Sequence, residues 1–508
     1  MRHMFSPKRF VMSAMPTGSG KSLTYMMAAR MSGQRTCILT STKGLQSQLM
    51  HDFGEMGLVD VRGANAYACS ALRDGMFGDP TTAGCDEGPC RIGVKCSRKL
   101  GGCLYFDAVR EACGSQLVVT NYAYYLYAHA RGKGLGKFDR LVLDECHDAH
   151  QWLCDFLSGE ITRNELALVG TELPKPQTDA KWRDWAEMVS TRVSDRLERL
   201  SDEAGGLKLS ASTRREIRVL NLLADRLERM ADVGNGWVIE RAQYSVRFSA
   251  VWAAKYAEQY LFRGIPHVDS ISATASPKMA ELLGVQPKDL DFADYPSDFP
   301  PRRRPVIHVP TVRMSRHNTA EDEAAWVSRM DDLISDRLDR KGIIHTVSYQ
   351  RREQIMARSR HRDILMAHSP STARSVFEQF RLAPAPRVLV TPAATTGWDF
   401  PMEECEYQII VKVPFPDLSS TVMKARAEQD KKYGGFLAAL TLVQMVGRGM
   451  RSADDMCETL VLDDHMRWFL WQYREFLPDW FRVACTSVQV GRLPRPLPKI
   501  RVEKGGAQ

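Results

Sequence analysis

Chemistry is concentrated in a few short stretches of this 508-residue chain. The first is Ala14-Met15-Pro16-Thr17-Gly18-Ser19-Gly20-Lys21-Ser22, set between a short apolar run, Arg9 to Met12, and a segment of helical composition, Leu23 to Arg30. Gly18 and Gly20 let the backbone turn its N–H groups inward around an anion, and a helix beginning at about Gly20 adds the positive end of its dipole. Pro16, Thr17 and Ser19 complete that loop, Lys21 reaches the β- and γ-phosphates, and the Ser22 hydroxyl holds Mg²⁺. The general pattern has glycine where Met15 stands. ATP and Mg²⁺ are the expected cofactors.

The second stretch is Arg140-Leu141-Val142-Leu143-Asp144-Glu145-Cys146-His147, four residues suited to a central strand ending in two adjacent carboxylates. A strand tip beside a bound phosphate lets Asp144 join the Mg²⁺ shell and Glu145 orient and deprotonate the attacking water. The third, Gln444-Met445-Val446-Gly447-Arg448-Gly449-Met450-Arg451, is expected on a helix. There Gln444, Arg448 and Arg451 share one face, and two guanidiniums aimed at one place suit the charge developing on a transferring γ-phosphoryl group.

Cysteines form the fourth group. Six of the 12, Cys69, Cys85, Cys90, Cys96, Cys103 and Cys113, fall in one segment rich in glycine and poor in aliphatic residues. Residues 64–113 cannot build a hydrophobic core of their own, so something else must hold them. Clustered thiols in a chain with a phosphate loop point to metal ligation, by zinc or by an iron–sulfur cluster, more than to disulfides.

Strands and helices must position these groups, and they alternate along the chain. Thr36 to Thr40, Gln116 to Asn121, Arg140 to Asp144 and Val268 onward read as buried strands with helices between, which is the pattern of a parallel sheet covered on both faces. Ligands of such sheets sit at the carboxyl ends of the strands. Residues 151–234 read as a helical insert, with amphipathic helices over Trp182 to Leu200 and Thr213 to Met230. Arginines on these helices, among them Arg192, Arg196, Arg214 and Arg218, are candidates to face nucleic acid. A stiff basic linker, Phe299 to Pro305, precedes a second round of strands at Gly342 to Val347, Arg387 to Thr391 and Tyr407 to Val413. Composition is that of an ordinary soluble protein, 44% apolar and 26% charged, and a net charge of +8 permits nucleic-acid binding without demanding it. No apolar run is long enough for a bilayer span.

Taken in order, Pro-Thr-Gly-Ser-Gly-Lys-Ser, Asp-Glu-Cys-His, Ser272-Ala273-Thr274-Ala275 and Gln-Met-Val-Gly-Arg-Gly-Met-Arg resemble the motifs of superfamily 2 helicases. The cysteine insert narrows the resemblance to the XPD/DinG iron–sulfur helicases, with Cys69, Cys103-Leu104-Tyr105-Phe106 and Val118 to Tyr122 as further local matches. The resemblance implies two RecA-like parallel-sheet α/β domains. The first is assembled from residues 1–63, 114–150 and 235–299, with an iron–sulfur insert at 64–113 and a helical arch-like insert at 151–234. The second spans 300–493, and 494–508 is a disordered tail. It implies a [4Fe-4S] cluster on Cys69, Cys90, Cys96 and Cys103, with Cys85 the first substitute. It also implies ATP between the domains, Gly397 and Asp399 at the nucleotide, and Arg451 as arginine finger assisted by Gln444 and Arg448. The activity implied is 5′-to-3′ unwinding by a monomer acting on single-stranded DNA and duplex junctions, cytoplasmic and DNA-associated. A translocase that does not separate strands, and a non-catalytic zinc-containing nucleic-acid-binding protein, are the alternatives. Two positions depart from the family: no adenine-contacting Gln precedes the loop, and Thr396 stands where an acidic residue is usual.

Overall fold

The computed structural model describes residues 1–130, 132–175, 178–203, 210–315, 317–392, 400–450 and 455–498. They divide into two units, one of Met1–Ser13, Ser22–Ala293 and Leu418–Glu428, the other of Ala14–Lys21, Asp294–Asp417 and Gln429–Gln508.

The first sheet starts with β1 (Phe10–Ala14), β2 (Thr36–Thr40), β3 (Leu58–Asp60), β4 (Leu117–Asn121) and β5 (Arg140–Asp144). Three strands that the sequence pattern did not announce follow, β6 (Gly159–Thr162), β7 (Trp237–Arg241) and β8 (Ser245–Ala250), forming a separate antiparallel sheet in the order β6-β8-β7. With β9 (His267–Ser272) and β10 (Leu290–Asp294) the large sheet reads β10-β1-β9-β5-β2-β4-β3. Strand β2 pairs in parallel with β4 and β5, and β5 with β9. Continuous burial along β2, β5 and nearly all of β9 explains their apolar runs, because both faces are covered.

Buried charge also runs through this sheet. Arg140 Nε donates to Asp269 Oδ2 at 2.6 Å with both side chains almost fully buried, and the same guanidinium reaches the Met4 carbonyl. Such a pair is worth little against an apolar pair, but removing one partner strands a buried charge.

The two amphipathic helices of the insert form as expected, Asp179–Glu203 and Ala211–Met230. Trp182, Trp185, Val189 and Val193 of the first meet Ile217, Leu220, Leu223 and Leu227 of the second in one apolar core. Their arginines mostly have protein partners: Arg196 pairs with Glu216 at 2.8 Å, Arg192 donates to the Gly170 carbonyl at 2.9 Å, and Arg214 is buried. Arg426, on the helix Thr421–Gln429, donates to the Val251 carbonyl at 2.7 Å, which explains why residues so late in the chain pack with the first unit.

The second sheet contains β11 (Val306–Val312), β12 (Lys341–His345), β13 (Leu365–Ala367), β14 (Arg387–Thr391), β15 (Tyr407–Ile410), β16 (Glu458–Asp463) and β17 (Cys485–Ser487), in the order β13-β14-β12-β15-β16-β11-β17. The basic stretch before β11 is not a free spacer. Arg304 is buried with its guanidinium 3.9 Å from the centre of the Trp480 ring, and Phe299 joins the core. Nor is the start of the tail loose: the Leu497 carbonyl accepts from Arg340 at 2.9 Å and the Pro494 carbonyl from Arg337 at 3.4 Å, while residues 499–508 lie outside the described residues. Among the described residues no helix is long and apolar enough to cross a membrane.

Candidate nucleotide site and cysteine pocket

Strand β1 runs into the glycine loop, and the helix Lys21–Ser32 leaves it. Gly18 and Gly20 have φ of 78° and 73°, the left-handed conformation that side chains resist, so both glycines are needed for the turn. Ser19 closes it, its hydroxyl donating to the Pro16 carbonyl at 2.7 Å. Lys21 and Ser22 open the helix, where Lys21 can meet an anion and Ser22 a cation bound to it.

Tyr25, one turn into that helix, was not foreseen. It is fully buried, and burial first, then the Asp144 charge, raise its phenol well above its ordinary value. A neutral phenol therefore stands beside the two side chains expected around Mg²⁺. Only an i+3 position from Ser22 hinted at this in the sequence, and apolar packing was the simpler explanation.

Asp144 ends β5 and is buried, its carbonyl accepting from the Tyr122 hydroxyl at 3.0 Å. Glu145 follows with φ of 48°, a left-handed position rare for glutamate, which turns the chain sharply at the strand tip. Its Oε2 accepts from the Ser272 hydroxyl at 3.2 Å and lies 3.2 Å from His147 Nδ1, which itself is 2.7 Å from Ser272 Oγ. Ser272 also contacts the Thr274 hydroxyl at 3.2 Å. Tertiary structure makes Ser272 the hub that fixes the carboxylate at the end of the neighbouring strand β5.

In the second unit, Gln444 lies on the helix Tyr433–Val446, but that helix stops at Val446 and Gly447–Gly449 form a 3₁₀ turn. Arg448 therefore lies in the 3₁₀ turn that follows the helix carrying Gln444. Arg448 is buried, and its charge helps depress the His345 imidazole, which burial already pushes down to about 4. A Cβ added at Gly447 would stand 3.5 Å from the Thr17 hydroxyl, so within this unit the glycine turn lies against the phosphate loop. Arg451, Gly397 and Asp399 lie outside the described residues.

The cysteine insert is built differently. Cys69, Cys85 and Cys103 are buried together with Ala64, Ala71 and Leu72, and Cys90 and Cys96 are half-buried. All five line one pocket, closed by Pro89 and Phe106. Cys85 Sγ stands 4.0 Å from Cys103 Sγ, and a Cβ at Gly88 would stand 3.2 Å from Cys69 Sγ and 3.7 Å from Cys90 Sγ. Glycine at 88 thus leaves room among the sulfurs. Hydrogen bonding to Cys85 lowers the Cys69 thiol to about 6 and raises that of Cys85, while burial raises Cys90. Cys85 is more deeply buried than Cys90 and Cys96, which the family resemblance ranks ahead of it. Among the described residues no three His, Cys, Asp or Glu side chains converge on one single-ion position. Cys113 is exposed and does not line the pocket.

A second cavity, of about 630 Å³, lies between this insert, the first sheet's edge and the helix Ala211–Met230. Its walls include Tyr105, Tyr124 and Tyr127 with Lys43, Arg91 and Asn121. Tyr105 and Tyr124 share a hydroxyl contact of 3.3 Å, and Arg91 lies 5.6 Å from the centre of the Tyr105 ring.

Residues 333–484 match the family described as helicase C-terminal domain, and residues 2–153 match the res subunit family of type III restriction enzymes. A comparison with curated protein sequences finds no match. Among solved structures, an XPD helicase superposes with a TM-score of 0.65 at 12% identity, covering 96% of this chain and 97% of its own. An apo XPD gives 0.61 at 12% identity, covering 94% and 97%, and Xpd4 of S. tokodaii gives 0.53 at 12%, covering 95% and 96%.

Proposed function

We propose that this chain, an XPD/DinG-like superfamily 2 helicase in its fold and its C-terminal helicase domain, couples ATP hydrolysis to movement along single-stranded DNA and to separation of the duplex ahead. The observation that carries the chemistry is the arrangement at the tip of β5. Asp144 is buried beside the Tyr25 phenol, which Ser22 also neighbours, and Glu145 is held by Ser272 and His147.

Ser22 and Asp144 would hold Mg²⁺ at the nucleotide phosphates, whose charge Lys21 and the N–H groups of residues 17–20 would neutralise. Glu145 accepts the proton of the water that attacks the γ-phosphorus as the bond to the ADP oxygen breaks. Gln444, Arg448 and Arg451 stabilise the charge spread over the transferring group. Hydroxyls around Glu145 fix its orientation, so that little reorganisation is needed at the moment of reaction. Five thiols around one pocket, with room kept by Gly88, suit a [4Fe-4S] cluster held by four of Cys69, Cys85, Cys90, Cys96 and Cys103. Such a cluster supplies the cross-links that a segment poor in aliphatic residues lacks. Tyrosines interleaved with Lys43 and Arg91 in the neighbouring cavity suit stacked bases and a phosphate backbone.

ATP hydrolysis and strand displacement on duplexes with 5′ or 3′ overhangs test the proposal together. The expected result is DNA-stimulated hydrolysis with unwinding from the 5′ overhang, and a Lys21→Ala variant slowed by about 10³-fold or more. Hydrolysis without unwinding would favour a translocase. An unchanged rate in Lys21→Ala would refute the site.

A further inference from the structure

Two tyrosines flank Asp144, and only one of them has its hydroxyl satisfied within the protein. Tyr122 is fully buried and donates to the Asp144 carbonyl at 3.0 Å, which fixes the backbone at the tip of β5. Tyr25 comes from the helix Lys21–Ser32, three residues after Ser22 and therefore on the same face. It too is fully buried, and it stands beside Ser22, Asp144 and Glu145. Among the described residues its hydroxyl oxygen has no hydrogen-bond partner. Glu145 differs, since it accepts from the Ser272 hydroxyl and lies 3.2 Å from His147 Nδ1.

Packing does not account for the Tyr25 hydroxyl. The other buried side chains of this helix, Met26, Ala28 and Ala29, are apolar, and a phenyl ring would fill the same space. A hydroxyl kept from water without a partner destabilises the fold, so its place beside two side chains expected at a metal points to a ligand that completes it. Bound Mg²⁺ keeps several of its waters, which can donate to a phenol oxygen.

We infer that Tyr25 is a positioning residue of the nucleotide site: its hydroxyl is a hydrogen-bond partner for the waters of a Mg²⁺ held by Ser22 and Asp144, and it sets how tightly the protein takes that metal with the nucleotide. This rests on the reading of Ser22 and Asp144 as the groups at Mg²⁺. The neutral phenol can accept from such a water and donate to the Asp144 carboxylate. Its ring is already enclosed in the protein alone, so little ordering remains to be done on binding. Hydrogen bonds to a charged assembly lie at the strong end of the range.

Tyr25→Phe removes the hydroxyl and keeps the ring. Binding of a fluorescent ADP derivative is followed during a Mg²⁺ titration and again in EDTA. The expected result is a half-saturating Mg²⁺ concentration raised by about tenfold, with binding in EDTA unchanged. The nucleotide-free variant is expected to unfold at the temperature of the natural protein or above it, because the deleted hydroxyl had no partner. Mg²⁺ with ADP should then raise the midpoint of the natural protein more than that of the variant. A Mg²⁺ requirement within about twofold of the natural one would overturn the inference and leave the nucleotide site intact. A nucleotide-free variant that melts well below the natural protein would overturn it too, since the hydroxyl would then be bonded within the fold. Failure of the natural protein to bind the nucleotide in Mg²⁺ would overturn the reading of Ser22 and Asp144 as well.

Discussion

The first sheet and the cysteine insert belong to one unit, yet they are stabilised by different means. The sheet buries continuous aliphatic strands such as Ile38 to Leu39 and Leu141 to Leu143 between layers of helix. The insert has short 3₁₀ turns, a handful of small apolar residues and five thiols, and it leans on the helical insert through Ile92, Val94 and Phe77. A parallel sheet can therefore keep Asp144 and Glu145 in place by its own packing. The insert has too little apolar core for that and leans on its neighbour.

The largest expected effect breaks the insert alone. Cys103→Ser should strip bound metal and leave residues 64–113 open to protease, since a structural metal site can carry on the order of 10 kcal/mol of a small domain's folding free energy. ATP hydrolysis in the absence of DNA should persist. Iron and zinc content, limited proteolysis and the hydrolysis rate report the three outcomes, and loss of basal hydrolysis with the metal would show that the sheet leans on the insert as well.

Breaking the sheet comes next. Arg140→Ala leaves Asp269 buried without its guanidinium, at an expected cost of about 3–5 kcal/mol in denaturant unfolding. A change of well under about 1 kcal/mol would mean that water reaches the site. Metal content should not move.

The smallest effect follows pH. Burial pushes the His129 imidazole, on the helix Tyr122–Ala130, down to about 4 and that of His150, on the helix Ala149–Leu157, down to about 3, from an ordinary 6.5. Both are neutral in the folded protein, so between 6.5 and those values the unfolded chain binds more protons. Stability is then complete above the unfolded value and falls as pH drops below it, by about 2 kcal/mol per histidine at about pH 5. Thermal unfolding at about pH 7.5 and about pH 5 measures the slope. A flat profile would show that the packing around these helices opens to solvent.

Much of this was legible in the chain. Thr36 to Thr40 and Arg387 to Thr391 are strands at their expected bounds, because β-branched and aliphatic runs between polar loops have few other uses. The glycine loop was readable because positive φ and close approach to an anion demand glycine at fixed places. Helix ends were less so. The helix carrying Gln444 ends at Val446, before Arg448, although the pattern continues in the sequence past that point. Strands β6 to β8 were missed, since β7 is half-buried throughout and β6 is only four residues long, which weakens the alternation that marks a strand. Arg304 was taken for a linker charge because nothing local predicts that Trp480 lies over it.

The sequence by itself determined which atoms are available: a lysine and a serine after a glycine turn, two carboxylates at a strand end, five thiols within one poorly apolar segment. Local composition and period 2 or 3.6 suffice for that, because each choice is made among neighbours in the chain. Tertiary structure alone decided that Tyr25 lies beside Ser22 and Asp144, that Ser272 holds Glu145, that Cys85 lies with Cys69 and Cys103, and that Ile92 seals the cysteine insert to helices about a hundred residues later. These are contacts between segments distant in sequence, and they depend on sheet order and helix packing, which no single segment encodes.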